Sequence, residues 1–339
     1  MNIVHSFSKN TVLLTIAKDN IDRAFKFPVD TTVEKLFVTA SSTDNDFIPQ
    51  LNVTDPNGIQ YVGHKEEPSG NEAGNFSAGV EVDVKVHGIW KGSVRNIGTG
   101  GTGGSGYTLT IRAQSSLDIK LKFLQDNSNN EFSMHPGLQD IGSQRPIADS
   151  KLVLEITTDS SLKGARPVQF QFRDEQSKLL AQYMVERSLN YGKTYYADIT
   201  VPRKPFWVRV LGFNGNKMQF IRTDARRISP STVKISMDTA PRSIFEDESV
   251  FQAEIFIENH DPLSKSYKIT ISDGAGAVKS WRPKTSVVKS QGTLRVTVVL
   301  DGKNIGREFG NATDMAVVVT GPDPLSSNVF TTTVDLARP

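Results

Sequence analysis

The chain has no cysteine, and that absence removes disulfides, zinc–thiolate centres and cysteine nucleophiles together. Long apolar runs are missing as well: no span approaches the roughly 20 apolar residues that a membrane-crossing helix needs. Nor is there an excess of one charge, since 39 Lys and Arg stand against 37 Asp and Glu, a formal net charge of +2. Nucleic-acid binders gather basic residues on one face to neutralise phosphates, so this balance predicts no nucleic-acid partner. Residues 1–20 carry Lys9 and Lys18 without the apolar run of about 7–15 residues that marks a secretory leader. Helical periodicity is absent too. No stretch repeats apolar residues at i, i+3, i+4 and i+7 for three turns.

What the chain has instead is a period-two rhythm. Thr11-Val-Leu-Leu-Thr-Ile-Ala17, Gly79-Val-Glu-Val-Asp-Val-Lys-Val86 and Thr293-Leu-Arg-Val-Thr-Val-Val-Leu300 set apolar residues against polar ones. Alternation sends one face of a strand into a core and the other into water, the signature of antiparallel sheets. The chain reads as all-β. At 339 residues it is too long for a single sandwich of about 100 residues, so tandem sandwiches are expected.

Three blocks follow from the strand-like runs. Residues 1–125 hold about eight, among them Gln50-Leu-Asn-Val-Thr54, Tyr107-Thr-Leu-Thr-Ile111 and Asp118-Ile-Lys-Leu-Lys-Phe123, the number a jelly roll requires. Asp55-Pro-Asn-Gly58 is a strong turn within this block. After the polar tract Asp126-Asn-Ser-Asn-Asn130, residues 131–232 and 233–339 have the strand spacing of immunoglobulin- or fibronectin-like sandwiches. Each block holds one tryptophan, Trp90, Trp207 and Trp281, expected in or near a core. Arg222, Arg226 and Arg227 form the densest basic cluster, expected to cover a domain junction.

Few constellations point to chemistry. Gly98-Thr-Gly-Gly-Thr-Gly103 matches GxGxxG, but a strand follows it where a dinucleotide site needs a helix, so a hairpin loop is expected. The histidines His5, His64, His87, His135 and His260 form no local metal-binding pair, and no GxSxG elbow is present. No cofactor is expected, with calcium the one candidate ion, at Asp44-Asn-Asp46 or Asp126-Asn-Ser-Asn-Asn-Glu131, neither in EF-hand order. The sequons at Asn52, Asn75 and Asn311 matter only if the protein is secreted.

Several stretches taken together resemble the segment that follows the von Willebrand A domain in hemicentins and in von Willebrand A domain-containing protein 7. They are Phe27-Pro-Val-Asp30 before Val33-Glu-Lys-Leu36, Leu51 to Gly58, Gly88-Ile-Trp90, Gly106-Tyr-Thr-Leu109 and Ser115-Ser-Leu-Asp118 leading to Phe123. In the second block they are Pro205-Phe-Trp-Val-Arg-Val-Leu-Gly212, Asn214-Gly-Asn216 and Phe220-Ile-Arg222. The resemblance covers residues 10–232. It implies a galactose-binding-like jelly roll followed by immunoglobulin-like domains, in a secreted glycoprotein of the extracellular matrix that serves cell adhesion. It also implies that this chain is a fragment of a longer one; the missing leader and cysteine leave a cytoplasmic setting as the alternative. If the jelly roll binds a sugar, Tyr61 and His64 are the candidate ligand-binding residues and Trp90 belongs to the core.

The resulting expectation is a non-enzymatic binding, adhesion or scaffold module with protein or glycan partners and no membrane insertion. Two other classes remain. One is a self-assembling structural protein pairing through edge strands, for which Thr331-Thr-Thr333 is suited. The other is a carbohydrate-active or esterase-like enzyme, which needs acid and base groups converging in one cleft.

Overall fold

A computed structural model describes residues 10–19, 23–42, 47–66, 76–98, 106–117, 119–126, 138–158, 166–189, 194–224, 226–237, 242–243, 250–301 and 312–335. The chain is all-β, with its strands in six antiparallel sheets. It divides into two compact units. Met1–Lys122, Val153–Ile199 and Pro205–Ile228 form the first; Phe123–Leu152, Thr200–Lys204 and Ser229–Pro339 form the second.

In the first unit, nine strands make two sheets around one core. One sheet runs, in spatial order, Asn10–Asp19, Gly106–Ser115, Val33–Ser42, Phe76–Asp83 and His64–Glu66. The other runs Arg23–Val29, Gly88–Asn96, Pro49–Thr54 and Gln60–Val62. This interleaving is the two-Greek-key order of a jelly roll. Alternate residues of Val33–Ser42, such as Leu36, Val38 and Ala40, point into the core with Phe27, Leu51, Trp90 and Ile111. The Asp55-Pro-Asn-Gly58 turn forms as its residues predict: Asp55 Oδ1 accepts from the N–H groups of Asn57 and Ile59, and Gly58 takes φ +89°.

Two sequence expectations need correction here. Gly88–Asn96 and Gly106–Ser115 lie in different sheets, so the glycine-rich tract between them does not close a hairpin; residues 99–105 of it lie outside the described residues. The strand Ile119–Asp126 joins neither jelly-roll sheet and pairs with Leu138–Asp140 instead. Local alternation identifies a strand, but the choice of partner depends on residues far away in sequence.

The same unit contains a four-stranded sheet in the order Leu179–Met184, Arg166–Arg173, Trp207–Phe213 and Gln219–Thr223. Phe170, Phe172, Val208, Val210 and Phe220 fill its buried face, with the Phe172 and Phe206 rings stacked 4.5 Å apart. Period two places Arg222 on the same inward face as Phe220, where an isolated guanidinium would be very costly. Its environment compensates. Nη1 pairs with Asp30 Oδ2 at 2.9 Å, and Nη2 donates to Thr32 Oγ1 at 2.8 Å and Ser115 Oγ at 2.9 Å. Asp30 Oδ1 in turn accepts from the Thr32 N–H and hydroxyl. Two further bonds flank the ion pair, Asn214 Nδ2 to Thr31 Oγ1 and Thr223 Oγ1 to the Leu13 carbonyl. Of the three clustered arginines, only Arg222 forms this junction. Arg226 pairs with Asp224 at the surface, and Arg227 lies over the Trp207 ring.

In the second unit the sheets are Val233–Met237, Val250–Asn259, Thr293–Asp301, Val278–Arg282, and Thr285–Val288, Lys265–Asp273, Ala312–Thr320, Ser327–Asp335. Their core includes Ile255, Ile257, Ile269, Val296, Val298 and Val317. One buried amide ties its loops. Asn259 Nδ2 donates to the carbonyls of Leu263, Val288 and Lys289, and Oδ1 accepts from the Asp261 N–H and the Tyr267 hydroxyl. Trp90 is fully buried, whereas Trp207 and Trp281 are half-buried.

Two stability predictions follow from these buried polar groups. Arg222→Met leaves Asp30 buried without its cation and should destabilise the first unit by about 3–5 kcal/mol in urea unfolding. Adding Asp30→Asn should recover much of that loss; a single-variant cost well under 1 kcal/mol would contradict the role given to the pair. Burial, with Asp261 and Asp323 nearby, raises the pKa of the Tyr267 phenol above its usual value. The folded state therefore holds this proton when the unfolded chain releases it, so the contribution is intact below pH ~10 and is lost above it. Tyr267→Phe should flatten the alkaline fall in the thermal midpoint of the second unit.

Candidate ligand-binding groove

Of the candidate residues singled out in the sequence, Asn52, Tyr61 and His64 lie on strands of the jelly roll. Tyr61 is half-buried and stacks on buried Trp90 at 5.8 Å, so its ring is engaged with the core. His64 is exposed and opposite Gly79 in register. Asn52 sits mid-strand, paired with Val62 on one side and Ser93 on the other, with its side chain half-buried. Asn75, Asn311, Asp44-Asn-Asp46 and residues 127–131 of the second calcium candidate lie outside the described residues. Among the described residues, no group of three or more His, Asp or Glu gathers as a metal site would require.

A groove of about 560 Å3 lies elsewhere, in the second unit. Two of its walls are edge strands, Val233–Met237 and Ser327–Asp335, each the last in its sheet. A third wall is the segment from Gln139 to Leu152. An edge strand presents unpaired N–H and C=O groups, and this segment covers some of them. Gln144 Oε1 accepts from the Ile235 N–H and Ser143 Oγ accepts from the Thr331 N–H, while within the edge strand itself Asn328 Oδ1 accepts from the Val329 N–H. Period two directs the Thr333 N–H to the same open side, beyond the reach of those caps.

Arg145 holds the segment in place. Its guanidinium donates to four carbonyls, those of Ser229, Pro230, Pro324 and Ser327, while its own N–H donates to Asn328 Oδ1. Burial lowers the Arg145 pKa from its ordinary value. Its bonds to neutral carbonyls make it a directional bracket, a task suited to a planar fork and poorly served by a lysine point charge. Sequence analysis passed over Arg145, because a lone arginine in a loop has no periodicity to reveal it.

The groove combines apolar surface with hydrogen-bonding side chains. Gln125, Gln139, Ser236, Thr331 and Thr333 line it, with Met237 and Phe330 supplying apolar surface and three cations, Arg145, Lys151 and Lys234, beside one acid, Asp140. Such a lining suits a polar chain, because amides and hydroxyls both donate and accept.

No known protein family matches this sequence, and no curated protein does. Three solved structures show a weak likeness. The BSP domain of a biofilm-associated protein is 10% identical, with a TM-score of 0.21 over 98% of this chain and 68% of that one. Dimeric latent PorU from Porphyromonas gingivalis is 12% identical, with a TM-score of 0.22 over 96% of this chain and 33% of that one. Alpha-2-macroglobulin from E. coli is 12% identical, with a TM-score of 0.20 over 93% of this chain and 22% of that one. Thus the chain spans a third of PorU and about a fifth of the macroglobulin. Among the described residues, no helix is long and apolar enough to cross a membrane.

Arg145→Lys cannot reproduce the four-carbonyl bracket and should cost the second unit about 2 kcal/mol, two or so net hydrogen bonds. Trp281 is the tryptophan of that unit and reports its unfolding by fluorescence. An unchanged midpoint would remove the bracket from the account.

Proposed function

We propose that this chain is a non-enzymatic binding and scaffold module that works outside the cell, with the groove of the second unit as its ligand-facing surface. The observation that carries the reading is the groove's construction: two sheet edges, partly capped, beside neutral amide and hydroxyl side chains. Extended polymers fit such a surface, since a peptide strand satisfies open edge groups and a glycan satisfies amides and hydroxyls. The hemicentin-like stretches lend the extracellular setting, and the jelly-roll order matches the galactose-binding-like domain they imply. Calcium and N-glycosylation belong to the same reading.

Glycan and strand-peptide arrays test it. The intact protein should bind a defined set of extended ligands, and Gln139→Ala with Thr333→Pro should weaken binding at least tenfold without lowering the unfolding midpoint. Binding that survives both changes would move the function off the groove.

Self-assembly is the second reading, favoured by the position of Ser327–Asp335 at the end of its sheet. It predicts concentration-dependent association that Thr333→Pro suppresses, because proline removes the outward N–H that a neighbouring strand would use. A single monomeric species throughout a sedimentation dilution series would rule this reading out.

A further inference from the structure

The first unit holds a buried cation whose bonding is incomplete. Arg209 lies in Trp207–Phe213 opposite Gln171 of Arg166–Arg173 and is only 8% exposed. Its Nη2 donates to Ser177 Oγ at 3.2 Å, but its Nε, also buried, has no hydrogen-bond partner among the described residues. Buried guanidiniums ordinarily meet a carboxylate or a ring of carbonyls, as Arg222 and Arg145 do. Arg209 has neither.

A second guanidinium stands beside it. Arg173 donates from Nη1 to the Ser177 carbonyl at 2.6 Å and from Nε to Gln171 Oε1 at 2.8 Å, so both arginines bracket one residue. Burial, then the positive charge of Arg173, pushes the Arg209 guanidinium down to about 10. Two acidic side chains border the site, and both are engaged elsewhere. Asp174 Oδ1 accepts from the N–H groups of Gln176 and Lys178, and Glu175 lies 3.7 Å from Arg227. Ser177 itself takes φ +62°, a conformation uncommon outside glycine. The turn that holds both arginines is therefore built with some strain.

Between these groups is a cavity of about 30 Å3, lined by Arg173, Ser177, Trp207, Arg209 and Thr223 together with the two acids. The space is small, and the head of an anion entering it would meet guanidinium donors. Two oxygens at fixed spacing, facing guanidinium donors, describe a carboxylate. A phosphate or sulfate would bring more negative charge toward Asp174 and Glu175, which line the same cavity, than a single carboxylate does.

We propose that the cavity between Arg173 and Arg209 is a binding site for a single carboxylate group, carried by a small organic acid or an acidic sugar. The anion would accept from Arg209 Nε and offset the repulsion between the two cations.

The test uses the intact protein, unfolded thermally at constant ionic strength in sodium acetate, sodium glucuronate, sodium sulfate or sodium chloride. Fluorescence of Trp207, identified by comparison with Trp207→Phe, follows the site. Acetate and glucuronate should raise the first unit's midpoint by roughly 2–4 °C above chloride in a saturable way, and sulfate should not. An effect from both carboxylates marks a small-acid site; an effect from glucuronate alone marks a site needing the sugar ring, and either supports the proposal. Arg209→Met should abolish the carboxylate shift and raise the midpoint in chloride, because it removes an unpaired buried charge. Arg209→Lys keeps the charge but loses the fork, and it should fold while losing most of the shift. A sulfate effect equal to that of the carboxylates, persistence of the shift in either variant, or no shift beyond chloride would each overturn the proposal.

Discussion

The first unit depends on a charge buried where a hydrophobic residue would be the simpler choice. Arg222 occupies an inward position of its strand, and its guanidinium meets Asp30, Thr32 and Ser115 of the jelly roll. Apolar contacts alone would let the four-stranded sheet slide over the jelly roll at small cost, since they are non-directional. An ion pair with flanking hydrogen bonds permits one arrangement. Buried pairs of this kind contribute little net stability but penalise heavily any geometry that separates their members. The loop Asp30–Thr32 is therefore as much a part of the sheet's address as the sheet's own residues.

Arginine serves three different ends in this chain. Arg222 is neutralised by a carboxylate, Arg145 is solvated by carbonyls, and Arg209 is left incompletely bonded beside Arg173. The first two fix structure, because each nitrogen of the fork has an acceptor. The third retains bonding capacity that the fold does not use. Arg222 and Arg209, both buried, show what satisfaction of this side chain looks like and where it is lacking.

Much of the architecture was legible in the sequence because sheets are written with a short period. Alternation at Val33–Ser42 or Thr293–Asp301 reveals both the strand and its buried face, and Asp55-Pro-Asn-Gly58 reveals its turn. Pairing was less legible. Ile119–Asp126 has the same alternation as the jelly-roll strands but pairs outside their sheets, a choice settled by Leu138–Asp140. The groove was legible only at Thr331-Thr-Thr333, where hydroxyl-rich residues mark an edge. Arg145, Ser143 and Gln144 act across some 90 to 190 residues of chain, a distance over which local patterns have no reach. Arg209 stands between Val208 and Val210, where alternation alone would face it outward; nothing in that triplet shows that its side chain is covered.

The bond from the Arg145 N–H to Asn328 Oδ1 spans 183 residues. During synthesis at about 5–20 residues per second, the arginine emerges roughly 10 to 40 seconds before the asparagine that accepts from it. For that interval the loop has no wall to stand against, and the nascent chain must shield it or leave it exposed to solvent and chaperones. The strand Ser327–Asp335 thus acts as a timer: the second unit closes only after that strand has left the ribosome.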